Sequence, residues 1–207
     1  MKIGIIGAGN IGATAAKLLV AAGHDVAISN SRGPESLQEL VAALGERAQA
    51  VTVEAATRFG EVVLLSIPFG KYKSLLPAPF YGKIVIDSNN YYPERDGKFP
   101  ELDSGQTTSS ELLSAHLPGA RIVKGFNTIW SEHLKAQGQT GLPLAERRAI
   151  FIAGDDSQAK EIVARLIEEI GFAAVDMGFL HEGGARQQPG TAVYNRNLTA
   201  VEAKDLG

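Results

Sequence analysis

The sequence predicts an α/β fold: a doubly wound, mostly parallel sheet with a short C-terminal αβ extension. Three observations predict it. Strand-like and helix-like periods alternate along nearly the whole chain. Several strand segments are unbroken apolar runs, as in sheets covered on both faces. A glycine-rich turn joins the first strand to the first helix.

Taken in order, Lys2 to Ile6 reads as a short buried strand, and Gly7, Gly9 and Gly12 follow in G-x-G-x-x-G spacing. Ile11, Ala15, Leu18, Leu19 and Ala22 then make one apolar helical stripe, which Gly23 stops. Asp25 to Ser29 forms the second strand. Gly33 and Pro34 lead into a helix with Leu37, Leu40, Val41 and Leu44 on one face. Ala48 to Val51 is a short third strand. Glu61 to Ile67, Lys83 to Asp87 and Arg121 to Gly125 are the next three. Arg148 to Ala153 reads as a further strand. Asp155 or Asp156 then caps a helix bearing Ile162, Val163, Leu166, Ile167 and Ile170, and Phe172 to Val175 begins one more strand. Three stretches have no period: 88–108, 137–146 and 176–197. Long loops of this kind are often functional; a surface excursion is expected for the middle one. No clear helix is expected at the C-terminus. At 207 residues the chain fits one domain, residues 1–207, with the extension starting near 140.

Composition narrows the function. The 44% apolar content suffices for a core packed on both faces of a sheet. Twenty basic residues against 23 acidic give a charge of −3, so no net basic field would attract nucleic acid. The absence of cysteine removes disulfides, thiolate nucleophiles and cysteine zinc sites, and no metal-ligand cluster is evident. No apolar run is long enough for a membrane span. Gly4 and Gly7 break the N-terminal apolar stretch, unlike a signal peptide, so a soluble cytoplasmic protein is expected.

The strand–glycine–helix context points to a dinucleotide. Gly7 makes the tight turn, Gly9 lets the backbone approach a pyrophosphate, and Gly12 packs helix on strand. Asn10 and Ile11 present backbone N–H groups at the positive end of the helix dipole. The competing explanation is a glycine-rich turn kept for packing. The second strand ends in Asn30-Ser31-Arg32, without the acidic residue of an NAD site. A neutral amide, a hydroxyl and a guanidinium suit a 2′-phosphate, so NADP is the expected cofactor. An ordinary solvated arginine at position 32 is the alternative.

The combination of Gly7–Gly12, Asn30-Ser31-Arg32, Ser66-Ile67-Pro68, Asp87-Ser88-Asn89-Asn90 and Val123-Lys124-Gly125-Phe126-Asn127-Thr128 resembles NADPH-dependent deazaflavin (coenzyme F420) reductases. It also resembles the related cytoplasmic reductase domains of STEAP-type metalloreductases. The resemblance spans about the first 180 residues and implies a Rossmann-type NADP-binding domain that passes hydride between NADPH and coenzyme F420 or a flavin. It further implies that Ser66, Ile67 and Pro68 run along the nicotinamide half, that Asn127 and Thr128 meet the nicotinamide or the acceptor ring from the other side, and that the protein is a homodimer. On the residues alone, Pro68 could be a strand terminator and Thr128 a helix cap. One departure is the polar, glycine-rich stretch from His181 to Gly190, which stands where the family's small-residue deazaflavin segment is expected. Resemblance to β-hydroxyacid dehydrogenases and pyrroline-carboxylate reductases is more distant, because the large helical second domain of those enzymes has no counterpart.

Hydride transfer to a flat ring asks mainly for stacked rings and excluded water, and no catalytic residue is assigned. His24 is expected to be structural, and His116 and His133 solvated on helix surfaces. His181 is the one histidine placed to donate a proton. Tyr91 and Tyr92 could wall the acceptor ring or pack a lid, and Trp130 presents the same choice. Arg186 and Arg196 could hold an anionic tail. The expected function is an NADP(H)-dependent oxidoreductase acting on a small-molecule redox acceptor. A non-enzymatic NADP(H) sensor is the rival.

Overall fold

Eight strands form one sheet, and the computed structural model describes residues 1–206. The strands are β1 (Lys2–Ile6), β2 (Asp25–Ser29), β3 (Ala48–Ala50), β4 (Val62–Leu65), β5 (Ile84–Asp87), β6 (Arg121–Gly125), β7 (Ala149–Ala153) and β8 (Ala173–Asp176). Their spatial order is β3-β2-β1-β4-β5-β6-β7-β8. Every neighbouring pair is parallel except β6 and β7, which run antiparallel through Lys124–Ala153 and Gly125–Ile152. The order of the first six strands is the Rossmann order, with its reversal between β1 and β4, where the C-terminal strand ends open a crevice.

The apolar runs of β4, β5 and β7 are buried along their whole length because helices cover both faces. On one face α1 (Asn10–Ala21) and α8 (Ser157–Glu169) place Ala15, Ala16, Leu19, Val163, Leu166 and Ile167 against Ile3, Ile5, Leu64 and Ile152. On the other, a 3-10 turn (Phe69–Ser74) and α6 (Ser109–His116) bring Phe69, Tyr72 and Leu113 onto Ile6, Leu65 and Val85. Helix α2 (Gln38–Leu44) and α7 (Ser131–Ala136) complete the expected set. Asp156 is the cap of α8, accepting from Ala159 N at 2.9 Å, whereas Asp155 accepts from Leu180 N at 2.8 Å and ties down a distant segment.

Helix α3 (Val53–Phe59) was not expected: its buried positions are Ala56 and Thr57, which make no stripe of large apolar residues like that of α2, although Thr52 caps it by accepting from Ala55 N. The stretch 88–108 contains α4 (Pro93–Asp96) and α5 (Pro100–Asp103), each started by a proline whose missing N–H is harmless at a helix start. The stretch 176–197 contains α9 (Leu180–Ala185), packed so closely that a Cβ on Gly183 would lie 2.7 Å from Ala153 Cβ. The C-terminal region also has a helix, α10 (Ala200–Ala203), opened by a reciprocal Thr199–Glu202 capping box. The excursion at 137–146 is anchored: Arg147 donates to the carbonyls of Leu142, Thr140 and Glu168, and Gln139 N donates to Gly171 O.

Candidate functional site

At the C-terminal edge of β1 the chain turns through Gly7, whose φ of +104° excludes ordinary side chains; a Cβ there would also sit 2.0 Å from Ser66 O. Gly9 differs. Its φ of −76° and ψ of −171° suit any residue, and an added Cβ would meet nothing within 4 Å. Nothing in this chain's own packing asks for glycine at that position. It is the N-cap of α1, no side chain caps that helix, and Asn10 beside it is exposed. Exposed backbone N–H groups under a bare glycine form a cradle for an anion.

Two clefts open from this point. The larger, about 820 Å³, runs from Gly7 and Gly9 past Asn30, Ser31 and Arg32 and is closed by the start of α3 and by Lys71 to Leu76. The smaller, about 480 Å³, begins at Asn10 and Ile11 and is bounded by Ser88 to Asn90, Tyr92, Asn127, Trp130 and Tyr194. Ser66, Ile67 and Pro68 line both. The structure therefore brings the sequence-selected residues to the clefts, apart from Gly12, which lies within α1 and is buried where that helix packs on the Gly7 turn. The turn at 30–32 is set by side chains: Asn30 Oδ1 accepts from Arg32 N at 2.9 Å, and Asn30 Nδ2 donates to Ser36 Oγ at 2.8 Å. That leaves Ser31 and Arg32 exposed over the larger cleft.

Beneath the smaller cleft lies a buried polar network. Lys124 and Asp87 are fully enclosed, with Nζ and Oδ2 3.7 Å apart. Ser110 Oγ connects them, donating to Asp87 Oδ2 at 2.7 Å and accepting from Lys124 Nζ at 3.0 Å. Burial lowers the Lys124 pKa, and Asp87 opposes that shift. The network holds Asn89 twice: its carbonyl accepts from Lys124 Nζ at 3.1 Å and its N–H donates to Asp87 Oδ1 at 3.0 Å. Asn89 Oδ1 in turn accepts from Ile67 N at 2.9 Å, so the pair beneath fixes the segment shared by both clefts. Asp87 and Lys124 stood in the quoted motifs without a role, since their pairing exists only across β5 and β6.

Asn127 is 4% exposed, and its Nδ2 donates to Asn90 Oδ1 at 3.1 Å and to Gln187 O at 2.7 Å. Thr128 does not cap α7, whose N-cap is Trp130; Thr128 O accepts from Asn195 N. Trp130 is 59% exposed on the cleft wall and stacks on His133. Tyr91 does not reach the cleft: its ring packs edge-on against Phe69 and Phe99, and its hydroxyl donates to Asp103. Tyr92 does line it, beneath the Arg95 guanidinium at 4.9 Å, with its hydroxyl bonded to that of Tyr194. No sequence signal marked Tyr194, which is 102 residues away.

The histidines stand apart from this edge. His24 is buried and bonded to Glu169, as expected of a structural residue. His116 is not simply solvated, because its ring meets Leu75 O at 2.9 Å and Tyr72 edge-on. His133 Nδ1 is buried as well. His181 lines neither cleft; it pairs with Glu111 at 2.9 Å, and that bond raises its pKa. Arg186 is bonded to Leu206 O and lines neither cleft, nor does Arg196.

Residues 2–91 match the family model described as NADP oxidoreductase, coenzyme F420-dependent. Over 181 residues, 86% of the chain, it is 31% identical to metalloreductase STEAP3 of Rattus norvegicus. Its residues 2–91 are thus those of the coenzyme F420-dependent NADP oxidoreductase family model. The chain spans about a third, 34%, of the length of the curated relatives it matches. The chain also superposes on the hypothetical protein SMa0349 of Sinorhizobium meliloti with a TM-score of 0.81 and 34% identity, covering 96% of this chain and 95% of that one. A protein from Arthrobacter sp. FB24 described as an F420-dependent NADP reductase shares the fold, with a TM-score of 0.76 at 24% identity over 96% of this chain and 99% of that one. Among the described residues no helix is long and apolar enough to cross a membrane, and no cluster of metal-ligating side chains occurs.

Proposed function

We propose that the chain is a reductase that holds NADP(H) along the joined clefts and passes hydride to a flat acceptor, a flavin or a deazaflavin such as coenzyme F420, in the smaller one. In this reading the pyrophosphate lies over Gly7, Gly9, Asn10, Ile11 and the α1 N-terminus, while Ser31 and Arg32 hold the 2′-phosphate. The nicotinamide lies beside Ser66, Ile67, Pro68 and Asn127. One observation carries the reading: both clefts open onto the same Ser66–Pro68 segment, so a ligand long enough to fill the first ends at the second. NADP(H), when bound, supplies the hydride. The chain's own groups bind the phosphates, set the ring against Ser66–Pro68 and exclude water. The reading takes the chain as one NADP-binding unit acting in the cytoplasm as a homodimer, which sedimentation of the purified protein tests.

The experiment is NADPH oxidation by purified protein across a panel of flavins, deazaflavins and quinones, with NADH as the control cofactor. Turnover with at least one ring, and preference for NADPH, is the expected result. One feature favours the rival sensor: Gln187 and Asn195 of the C-terminal segment bond directly to Asn127 and Thr128, crowding the smaller cleft. Tight NADPH binding with no oxidation across the panel would decide for the sensor.

A further inference from the structure

Hydride transfer to a neutral ring leaves that ring one negative charge richer, and a proton must follow to a ring oxygen or nitrogen. The smaller cleft has few groups that could supply it. Ser88 Oγ already donates to Leu65 O at 2.7 Å. Arg95 is held in a fork by Asp96 and donates to Asn90 O. Glu132 is exposed at the rim, and no histidine, lysine or aspartate lines the cleft. Two phenols remain. Tyr92 and Tyr194 both face the cleft, are half-buried, and are bonded hydroxyl to hydroxyl. A phenol pair has two O–H hydrogens, and the bond between them uses one. The other is left for a third atom.

We propose that Tyr92 and Tyr194 act together as the proton donor to the acceptor ring, an inference that rests on the reductase reading above. As the hydride pair of electrons enters the ring, one phenol O–H bond breaks and its proton forms an O–H or N–H bond on the acceptor. The phenolate left behind is shared across the Tyr92–Tyr194 bond, faces the Arg95 charge, and takes its proton back from solvent. The charged groups around the pair are Arg95, lying over the Tyr92 ring, and Asp96, which neutralises Arg95 and accepts from Tyr92 N at 3.0 Å. Burial first, and the bond to Tyr194 second, raise the Tyr92 pKa and make it a weaker acid than a free tyrosine, while the Arg95 charge acts the other way and is the group that favours proton release. The acceptor class this favours is a neutral quinone-like or flavin-like ring that must be protonated on reduction.

The test compares Tyr92→Phe and Tyr194→Phe with wild type on two acceptors. A neutral quinone needs the proton; a cationic N-methylphenazinium becomes neutral on taking the hydride and does not. We expect kcat with the quinone to fall about a hundredfold in both variants, in the range of lost general-acid catalysis. The phenazinium rate, read against its uncatalysed background, and the calorimetric NADP+ affinity should stay at wild-type values. The exposed Tyr81→Phe should match wild type throughout. Equal losses with both acceptors would make the pair a strut between two segments and overturn the proposal, as would wild-type quinone rates in both variants. Absence of any NADPH oxidation by wild type would overturn the reductase reading, and this proposal with it.

Discussion

At position 9 a glycine stands where the protein's own packing has no use for one, and that makes it the sharpest single-residue test. Gly9→Val should leave the fold intact, because the new side chain enters open space, yet abolish NADP binding by filling the phosphate cradle. Calorimetry beside a circular dichroism melt reads both, and wild-type affinity would move the site elsewhere. Arg32 tests which cofactor is bound. A hydrogen bond to a charged group contributes roughly 1.5–3 kcal/mol, and about 1.4 kcal/mol is tenfold in affinity. Arg32→Ala should therefore weaken NADP binding about ten- to a hundredfold and leave NAD binding nearly unchanged. Lys124 governs stability. Lys124→Met would strand Asp87 without its countercharge in a fully enclosed place, at a loss of about 3–5 kcal/mol in denaturant unfolding. Replacing both members by apolar residues should recover most of it.

At the scale of elements, α8 depends on its first residue outside the helix. Arg121 and the N–H of Ala159 both bond Asp156, and together they lower its pKa to about 2. A depressed carboxyl stabilises the fold above its unfolded value and loses that contribution as pH falls toward 2. Asp156→Ala should cost about 1 kcal/mol through the lost cap. Asp156→Asn keeps a capping oxygen, so it should mainly flatten the acid limb of the stability profile. The contact of α9 with α6 has the opposite sign. Glu111 raises the His181 pKa, so their bond is at full strength below the unfolded histidine value and fades as pH climbs through the folded one. The hydrogen-exchange protection of 180–185, with the intrinsic pH dependence of exchange divided out, should fall across that window in wild type and not in Glu111→Gln. The longer elements were legible in advance: α1 and α8 declare themselves by periodicity, and the buried strands by unbroken apolar runs. Helices α3, α4, α5 and α10 did not: the last three have four residues each, about one turn, and α3 buries Ala56 and Thr57 in place of a stripe of large apolar side chains. Their evidence lies in caps and in neighbours distant in sequence.

Over the whole molecule the same division holds for the site. The larger cleft is built mostly from contiguous motifs, and the glycine spacing and the Asn30–Arg32 turn could be read directly. The smaller cleft is assembled from partners far apart in the chain, Asn127 with Gln187 and Tyr92 with Tyr194, and no local pattern encodes those pairings. The reversal of direction between β6 and β7 explains how they meet. Because β7 and β8 run against the first six strands, the chain leaves β8 at the far edge and climbs back through α9 to the edge where the cofactor motifs lie. Arg148 fastens the returning strap, bonding Gln137, Asn197 and Arg196 O. On the proposed reading the division is unequal: residues before about 133 line the larger cleft and most of the smaller one, and 186–198 add Tyr194 and Asn195 to the latter. An exchange of that short terminal cassette between relatives should retarget the electrons while leaving their source unchanged.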